Sequence, residues 1–144
     1  MKRCPYLFPL QPEGSRLSSA LLILRVVFGL LLASHGWMKL TGFSEMSSQF
    51  LPLFGMSPSF SLALAVFGEL FCSIAVIFGF LTRLAAIPAA FTMLIAFTMA
   101  HGCSIANGGE LAFAYLIVFI VLIITGGGKY SIDYLLAKKC FKEA

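Results

Sequence analysis

The sequence predicts an all-α fold, a four-helix transmembrane bundle with a short outer interfacial helix between helices one and two and a C-terminal amphipathic segment. Three observations carry this expectation. Four apolar stretches, at about 17–40, 58–81, 83–101 and 109–126, fill most of the 144 residues, and each approaches the roughly 20 residues that a spanning helix needs. Hydrophobic residues make up 60% of the chain and charged residues 11%, with a mean hydropathy of +0.97. A soluble domain is nearer ~45–50% apolar and ~25% charged. Finally, the basic residues fall on alternate connections, as they do in multi-pass proteins.

The first stretch follows an arm, residues 1–16, that carries Pro5, Pro9, Pro12 and Gly14 and reads as an extended leader. Arg25 interrupts the apolar run, which is longer than the 7–15 residues typical of a signal peptide's apolar region, so this is expected to be a retained helix. Residues 17–142 then form a single membrane domain. Lys2, Arg3, Arg16, Arg83, Lys129, Lys138, Lys139 and Lys142 lie on one side and Lys39 on the other, with the intramembrane Arg25 set aside. That bias predicts a cell (inner) membrane location with both termini cytoplasmic. The net charge of +4 is thus a topology signal and a contact for lipid headgroups, and gives no reason to expect nucleic acid.

Between the first two spans, Phe43, Met46, Phe50, Leu53 and Phe54 recur near helical spacing opposite Glu45, Ser47, Ser48 and Gln49. This pattern predicts a short helix in the outer interface, broken by Pro52 and ended by Gly55 and Pro58. It is either a lid over the bundle or a simple anchor. The turn at 79–83 is short, so helices two and three are antiparallel neighbours. Pro88 sits early in the third helix beside Ala85, Ala86, Ala89 and Ala90, small residues that permit close packing. After the fourth helix, Gly126–Gly128 breaks the rod and Ser131 is placed to cap a last, amphipathic segment, 132–141.

Ionisable residues inside these spans are the candidates for chemistry. A charge at mid-membrane costs at least ~2.5–3.5 kcal/mol on insertion scales, so such residues face the protein interior and mark functional or pairing sites. Arg25, Gly29, Leu32, Gly36 and Lys39 form one seam of the first helix, with His35 beside it. Gly68, Glu69, Cys72 and Ser73 cluster on the second. Rise per residue puts Arg25 and Glu69 within ~8 Å in depth, which predicts a buried Arg25–Glu69 ion pair, either structural or reactive. His35, Lys39, Glu69 and His101, with Trp37, Phe50 and Phe54, are expected to form a pocket in the outer half of the bundle. Glu110 lies at the same depth. Each polar residue also has a plainer reading: a hydrogen bond between helices for His35, a dipole contact for His101, an interfacial anchor for Trp37.

The cysteines Cys4, Cys72, Cys103 and Cys140 are scattered. They offer no Cys-x-x-Cys pair and, with the two histidines, no metal-ligand spacing. Their role is left open.

The segment 24–40, LRVVFGLLLASHGWMKL, resembles the first helix of the DoxX family, with its Arg, its G-x-x-x-x-x-H-G core and a following Lys. Residues 68–85, GELFCSIAVIFGFLTRLA, are similar to the second helix of that family, which closes on G-x-L-T-R-L. The tail GGGKYSID is similar to its closing G-x-G-x-Y-S-x-D. The three matches occur in order over about 22–135. The resemblance implies a four-helix protein related to the small membrane subunit of thiosulfate:quinone oxidoreductase. Wider relatives include cargo receptors and assembly factors.

Three functions of different class are therefore expected as alternatives. The first is a membrane subunit of a quinone-linked oxidoreductase complex, with quinone as its ligand. No haem, flavin or iron–sulfur motif is recognisable, so electrons would come from a partner or directly from a substrate. The second is a non-enzymatic scaffold, cargo or assembly factor. The third, a small transporter or proton pathway, lacks a broken-helix pair or inverted repeat in its favour. The lipid bilayer is one partner in every case, with a protein partner or a second copy as the other.

Overall fold

The computed structural model describes residues 14–142, of which the last three only by backbone. Most of the N-terminal arm, Cys4 and the side chain of Cys140 lie outside the described residues. Among the described residues, four helices are long and apolar enough to cross a membrane: α1 (Ser15–Thr41), α3 (Pro58–Phe78), α4 (Thr82–Ala100) and α5 (Ile105–Thr125). A one-turn α2 (Phe43–Met46) follows α1, and α6 (Ile132–Lys142) closes the chain. The end of the bundle where α1 starts and α6 lies is called the near end, the opposite one the far end.

The seam of α1 is buried as its spacing demands. Arg25, Gly29, Leu32 and Gly36 are all inside, together with Leu21 one turn and Ser18 two turns before Arg25. The glycines set how closely α1 and α3 approach. A Cβ on Gly36 would stand 2.6 Å from the backbone nitrogen of Leu70 and 2.8 Å from the carbonyl carbon of Glu69. A Cβ on Gly29 would meet the Ile77 side chain at 2.6 Å. These contacts fix an antiparallel register in which Gly36 faces 69–70 and Gly29 faces 73–77.

α3 is not a uniform rod. Its middle, Phe67–Phe71, is a π-helical turn between two α-helical halves, and Gly68, Glu69 and Leu70 are buried in succession there. On its other side Gly68 lies against Thr92 and the Pro88 carbonyl of α4. A further π turn ends α4 at Ala96–Ala100, and α5 opens with a kinked turn at Ile105–Gly109 in which Asn107 and Gly108 leave the helical conformation. α4 packs most extensively on α5, across the buried Ala86, Ala89, Ala90 and Met93.

The connection between α1 and α3 is less helical than its periodicity suggests. Only Phe43–Met46 is helical, and the rest is turn and extended chain. It nevertheless folds onto the bundle. Phe43 and Phe50 pack on a cluster of Leu62, Val66 and Leu70. The Leu53 N–H donates to Ser61 Oγ at 2.9 Å. Ser57 caps α3, accepting from the Phe60 N–H, with Pro58 in the first turn.

At the near end, Asp133 of α6 reaches the start of α4. Its carboxylate accepts from the Leu81 N–H at 2.6 Å, the Thr82 N–H at 2.8 Å and the Thr82 hydroxyl at 2.8 Å. These are donors that a helix N-terminus otherwise leaves unsatisfied, and an anion there is favoured by the helix dipole. Asp133 also donates its own N–H to the Gly79 carbonyl at 2.9 Å, and Ser131 Oγ accepts from the Tyr134 N–H at 3.2 Å. α6 is therefore fastened to the α3–α4 turn at the level where the spans end.

The register argument makes a test. At Gly36 an added methyl meets backbone that cannot yield, whereas at Gly29 it meets the end of a flexible side chain. Gly36→Ala is expected to lower stability in detergent by about 2 kcal/mol or more, and Gly29→Ala by about half that. Equal losses in denaturant titrations would contradict the assigned α1–α3 register.

Candidate functional site

Helix side chains lean toward the N-terminus of their helix. On α1 this sends Arg25 toward the near end and brings Lys39, in the last turn, back down from the far end. The two cations of the seam therefore serve different neighbourhoods.

Arg25 is 1% exposed, the largest fully buried side chain among the described residues. Its Nη1 donates to the Gly127 carbonyl at 2.8 Å and its Nη2 to the Tyr130 carbonyl. Asp133 lies within electrostatic reach as the countercharge. Gly79 and Gly127 leave the space the guanidinium occupies; a Cβ on Gly127 would stand 2.9 Å from Nη1. The expected Arg25–Glu69 pair is thus corrected. The two residues lie on facing helices, but the register sets Arg25 beside Gly79, more than two turns from Glu69, and the lean of its side chain increases the gap. Arg25 holds the bundle closed, and its chemistry is spent on backbone carbonyls.

Glu69 pairs with Lys39 instead. The carboxylate is 3% exposed and the lysine 23%, so the pair is reached by solvent or ligand from the lysine side. The π turn presents Glu69 to α1 while its neighbours Gly68 and Leu70 also stay inside, an arrangement that a regular α-helix would not give three successive residues.

The pair borders a cavity of about 590 Å³ between α3 and α4, under the 50–56 segment. This volume is within the range of small-molecule sites. Lys39, Glu69, Thr92 and His101 are its polar members; Phe50, Phe54, Leu64 and Phe91 are among the apolar ones. The Thr92 hydroxyl already donates to the Ala89 carbonyl at 2.9 Å. His101 Nδ1 lies 3.2 Å from the Asn107 carbonyl. A carbonyl only accepts, so neutral His101 carries its proton on Nδ1 and offers Nε2 as an acceptor. The expected pocket also included His35 and Trp37, and neither lines this cavity. The His35 ring stands edge-on to Tyr115 of α5, centroids 6.2 Å apart, one turn deeper on α1 than Lys39. Trp37 is 58% exposed, and Glu110 is exposed at the start of α5.

The DoxX family model matches residues 20–102, which is more than half of the sequence. The inner membrane protein YqjF of Escherichia coli is 37% identical over 123 residues, covering 82% of this chain and 92% of that protein. The chain belongs to the DoxX family. An uncharacterised protein of Haemophilus influenzae is 32% identical over 146 residues, spanning 96% of this chain and 93% of its own length. No solved structure gives a significant match.

The DoxX match contains Arg25, Lys39, Glu69 and His101, while the closing GGGKYSID lies beyond it. In space the family-like motifs divide between the two ends. Arg25, the Gly79–Thr82 turn and Gly127–Asp133 meet at the near end, and the Lys39–Glu69 pair forms the cavity wall. Sequence reasoning missed Asp133, although the S-x-D of the tail held it. It also missed Pro88, Thr92 and Ile95, whose line along α4 makes one cavity wall.

The pair is testable by a mutant cycle. Glu69→Gln alone is expected to cost about 2–4 kcal/mol, because it strands a part-buried ammonium. Adding Lys39→Met should recover much of that loss, with a coupling above ~1 kcal/mol. Arg25→Met should combine additively with Glu69→Gln, within about 0.5 kcal/mol. Coupling of Glu69 to Arg25 rather than to Lys39, in denaturant titrations, would contradict this pairing.

Proposed function

We propose that this DoxX-family protein is a membrane subunit of a quinone-linked oxidoreductase complex in the inner membrane, and that its cavity receives the quinone head. One observation supports this reading above the others: an ammonium and a carboxylate stand side by side in the wall of a mostly apolar cavity between two spanning helices. Lys39 can donate a hydrogen bond to a quinone carbonyl. Glu69 or the Nε2 of His101 can exchange the proton that accompanies each electron. Electrons come from a partner protein or directly from a reduced substrate. The printed name of the E. coli relative supports the inner-membrane location.

The second reading is a scaffold or assembly factor. Phe54 favours it: the residue is 75% exposed at a left-handed turn on the far end (φ 45°), a form suited to a protein contact.

Binding separates the two. Titrating the purified chain with a ubiquinone or menaquinone analogue should give saturable binding, weakened about tenfold by Lys39→Met or His101→Ala, the loss of one good hydrogen bond to a charged or polar partner. A folded His35→Ala variant should bind normally. Absence of binding by the wild type, or equal binding by all variants, would remove the quinone reading.

Orientation is part of the same proposal, with the near end cytoplasmic on the strength of the basic residues. Cys103 is exposed at the far end and Cys72 is buried. An impermeant maleimide added to intact cells should therefore label Cys103. Labelling of Cys103 only after permeabilisation would reverse the orientation.

A further inference from the structure

Glu69 has unspent capacity. Lys39 takes one of its carboxylate oxygens, Oε2, while Oε1 accepts no hydrogen bond among the described residues. A carboxylate offers about four acceptor sites, so a single cation leaves most of them unused. One turn along α3, Ser73 is wholly buried and its Oγ has no partner. Elsewhere in the spans, Ser19, Ser34, Thr92, Thr98 and Thr125 each donate to a carbonyl three or four residues back on their own helix. On α5, Tyr115 is 2% exposed, and its hydroxyl is likewise without a hydrogen bond among the described residues. Buried polar groups are seldom left so.

The helix register brings these three groups to one region. A Cβ on Gly36 would stand 2.8 Å from the carbonyl carbon of Glu69, and one on Gly29 3.4 Å from the Ser73 carbonyl oxygen. The Tyr115 ring packs on the same stretch of α1, its centroid 5.8 Å from that of Phe28 and 6.2 Å from that of His35. Glu69 lies within its electrostatic reach. α3 and α5 both start at the far end, so Ser73 and Tyr115 lean toward the level of Glu69. Neither lines the cavity. Three converging polar groups are what an internal water needs.

We infer that Ser73 Oγ, the Tyr115 hydroxyl and Glu69 Oε1 bind internal water between α1, α3 and α5, and that this water site supports the Glu69 carboxyl in either protonation state. Lys39 serves only the charged form. Water and the two hydroxyls both donate and accept, so they can donate to the carboxylate and accept from the carboxylic acid. A ligand that draws Lys39 away then leaves Glu69 partnered. The use of the site in proton exchange rests on the role proposed for Glu69; the water site itself does not.

The test uses the full chain in nanodiscs without ligand. Deleting an isolated buried hydroxyl relieves a desolvation penalty, whereas deleting one that holds a shared water strands the others. Ser73→Ala and Tyr115→Phe should therefore each lower the melting temperature by about 3 °C. The double variant should lose clearly less than the sum, because both changes release the same water. Ser34→Ala, at an exposed hydroxyl bonded to its own helix, should stay within about 1 °C of the wild type. Infrared pH titration then follows the Glu69 carboxyl. Lys39 and His35 of α1, Cys72 of α3, His101 of α4 and Tyr115 of α5 are the other titratable groups around it, so its band is assigned by loss in Glu69→Gln. Hydrogen bonds to the charged form favour that form. Its midpoint should therefore rise by about half a pH unit or more in Ser73→Ala and in Tyr115→Phe. A higher melting temperature for Ser73→Ala marks an isolated hydroxyl and overturns the water site, as do additive losses. Lower melting temperatures with an unmoved midpoint overturn its service to Glu69. Failure of the wild type to bind a quinone analogue would leave these results standing, and their failure would leave quinone binding standing.

Discussion

Burying a guanidinium inside a bundle this small is the constraint on which much of the fold depends. Removing such an ion from water costs several kcal/mol even after relaxation, and hydrogen bonds to its donors offset part of that cost. No carboxylate touches Arg25 among the described residues. Two main-chain carbonyls take its protons, and both belong to the chain that follows α5. That segment must therefore return across the bundle after the last span. Glycines at 79 and 127 clear the space, and Asp133 keeps a negative charge nearby while it caps α4. One arginine on the first helix thus dictates where the segment after α5 goes.

With Arg25 held at the near end by two carbonyls, Glu69 needs another cation, and Lys39 provides it. The two sites divide the labour of α1. One is closed and made largely of backbone; the other is a side-chain pair that borders open volume. The partial exposure of Lys39 sets the pair apart from a sealed structural bridge. A group arriving in the cavity could compete for either partner without unfolding the bundle, because the near-end clasp does not depend on them.

The four spans were legible because hydropathy and length leave few alternatives in lipid, and the α1 seam because glycine and charge recur along a single face. The partner of Arg25 was not legible from depth alone. Counting rise per residue treats a side chain as a point at its Cα, whereas an arginine on α1 and a glutamate on α3 reach in directions set by helix polarity and register. The backbone carbonyls of 127 and 130 carry no signal of their own in a sequence. Three members of the pocket, Lys39, Glu69 and His101, stood out as charged or titratable groups in the outer half of the bundle, and the structure places all three on one cavity. His35 looked equivalent, but it stands a full turn deeper on α1 than Lys39, and its ring packs edge-on against Tyr115 instead of lining the cavity. The α4 wall was hidden because Pro88, Thr92 and Ile95 look like ordinary residues of an apolar helix.

The π turn of α3 has a consequence for how the two halves of the molecule relate. It carries one residue more than the α-helical path would, so the halves of α3 sit in phases about 100° apart. The half from Cys72 to Phe78 is in phase with Gly29, while the half from Pro58 to Val66 is in phase with the segment that covers the cavity. A helix of the same composition lacking that residue could satisfy only one of these settings at a time. The extra residue works as a phase shifter, letting a continuous transmembrane rod be clamped at one end and wall a chamber at the other.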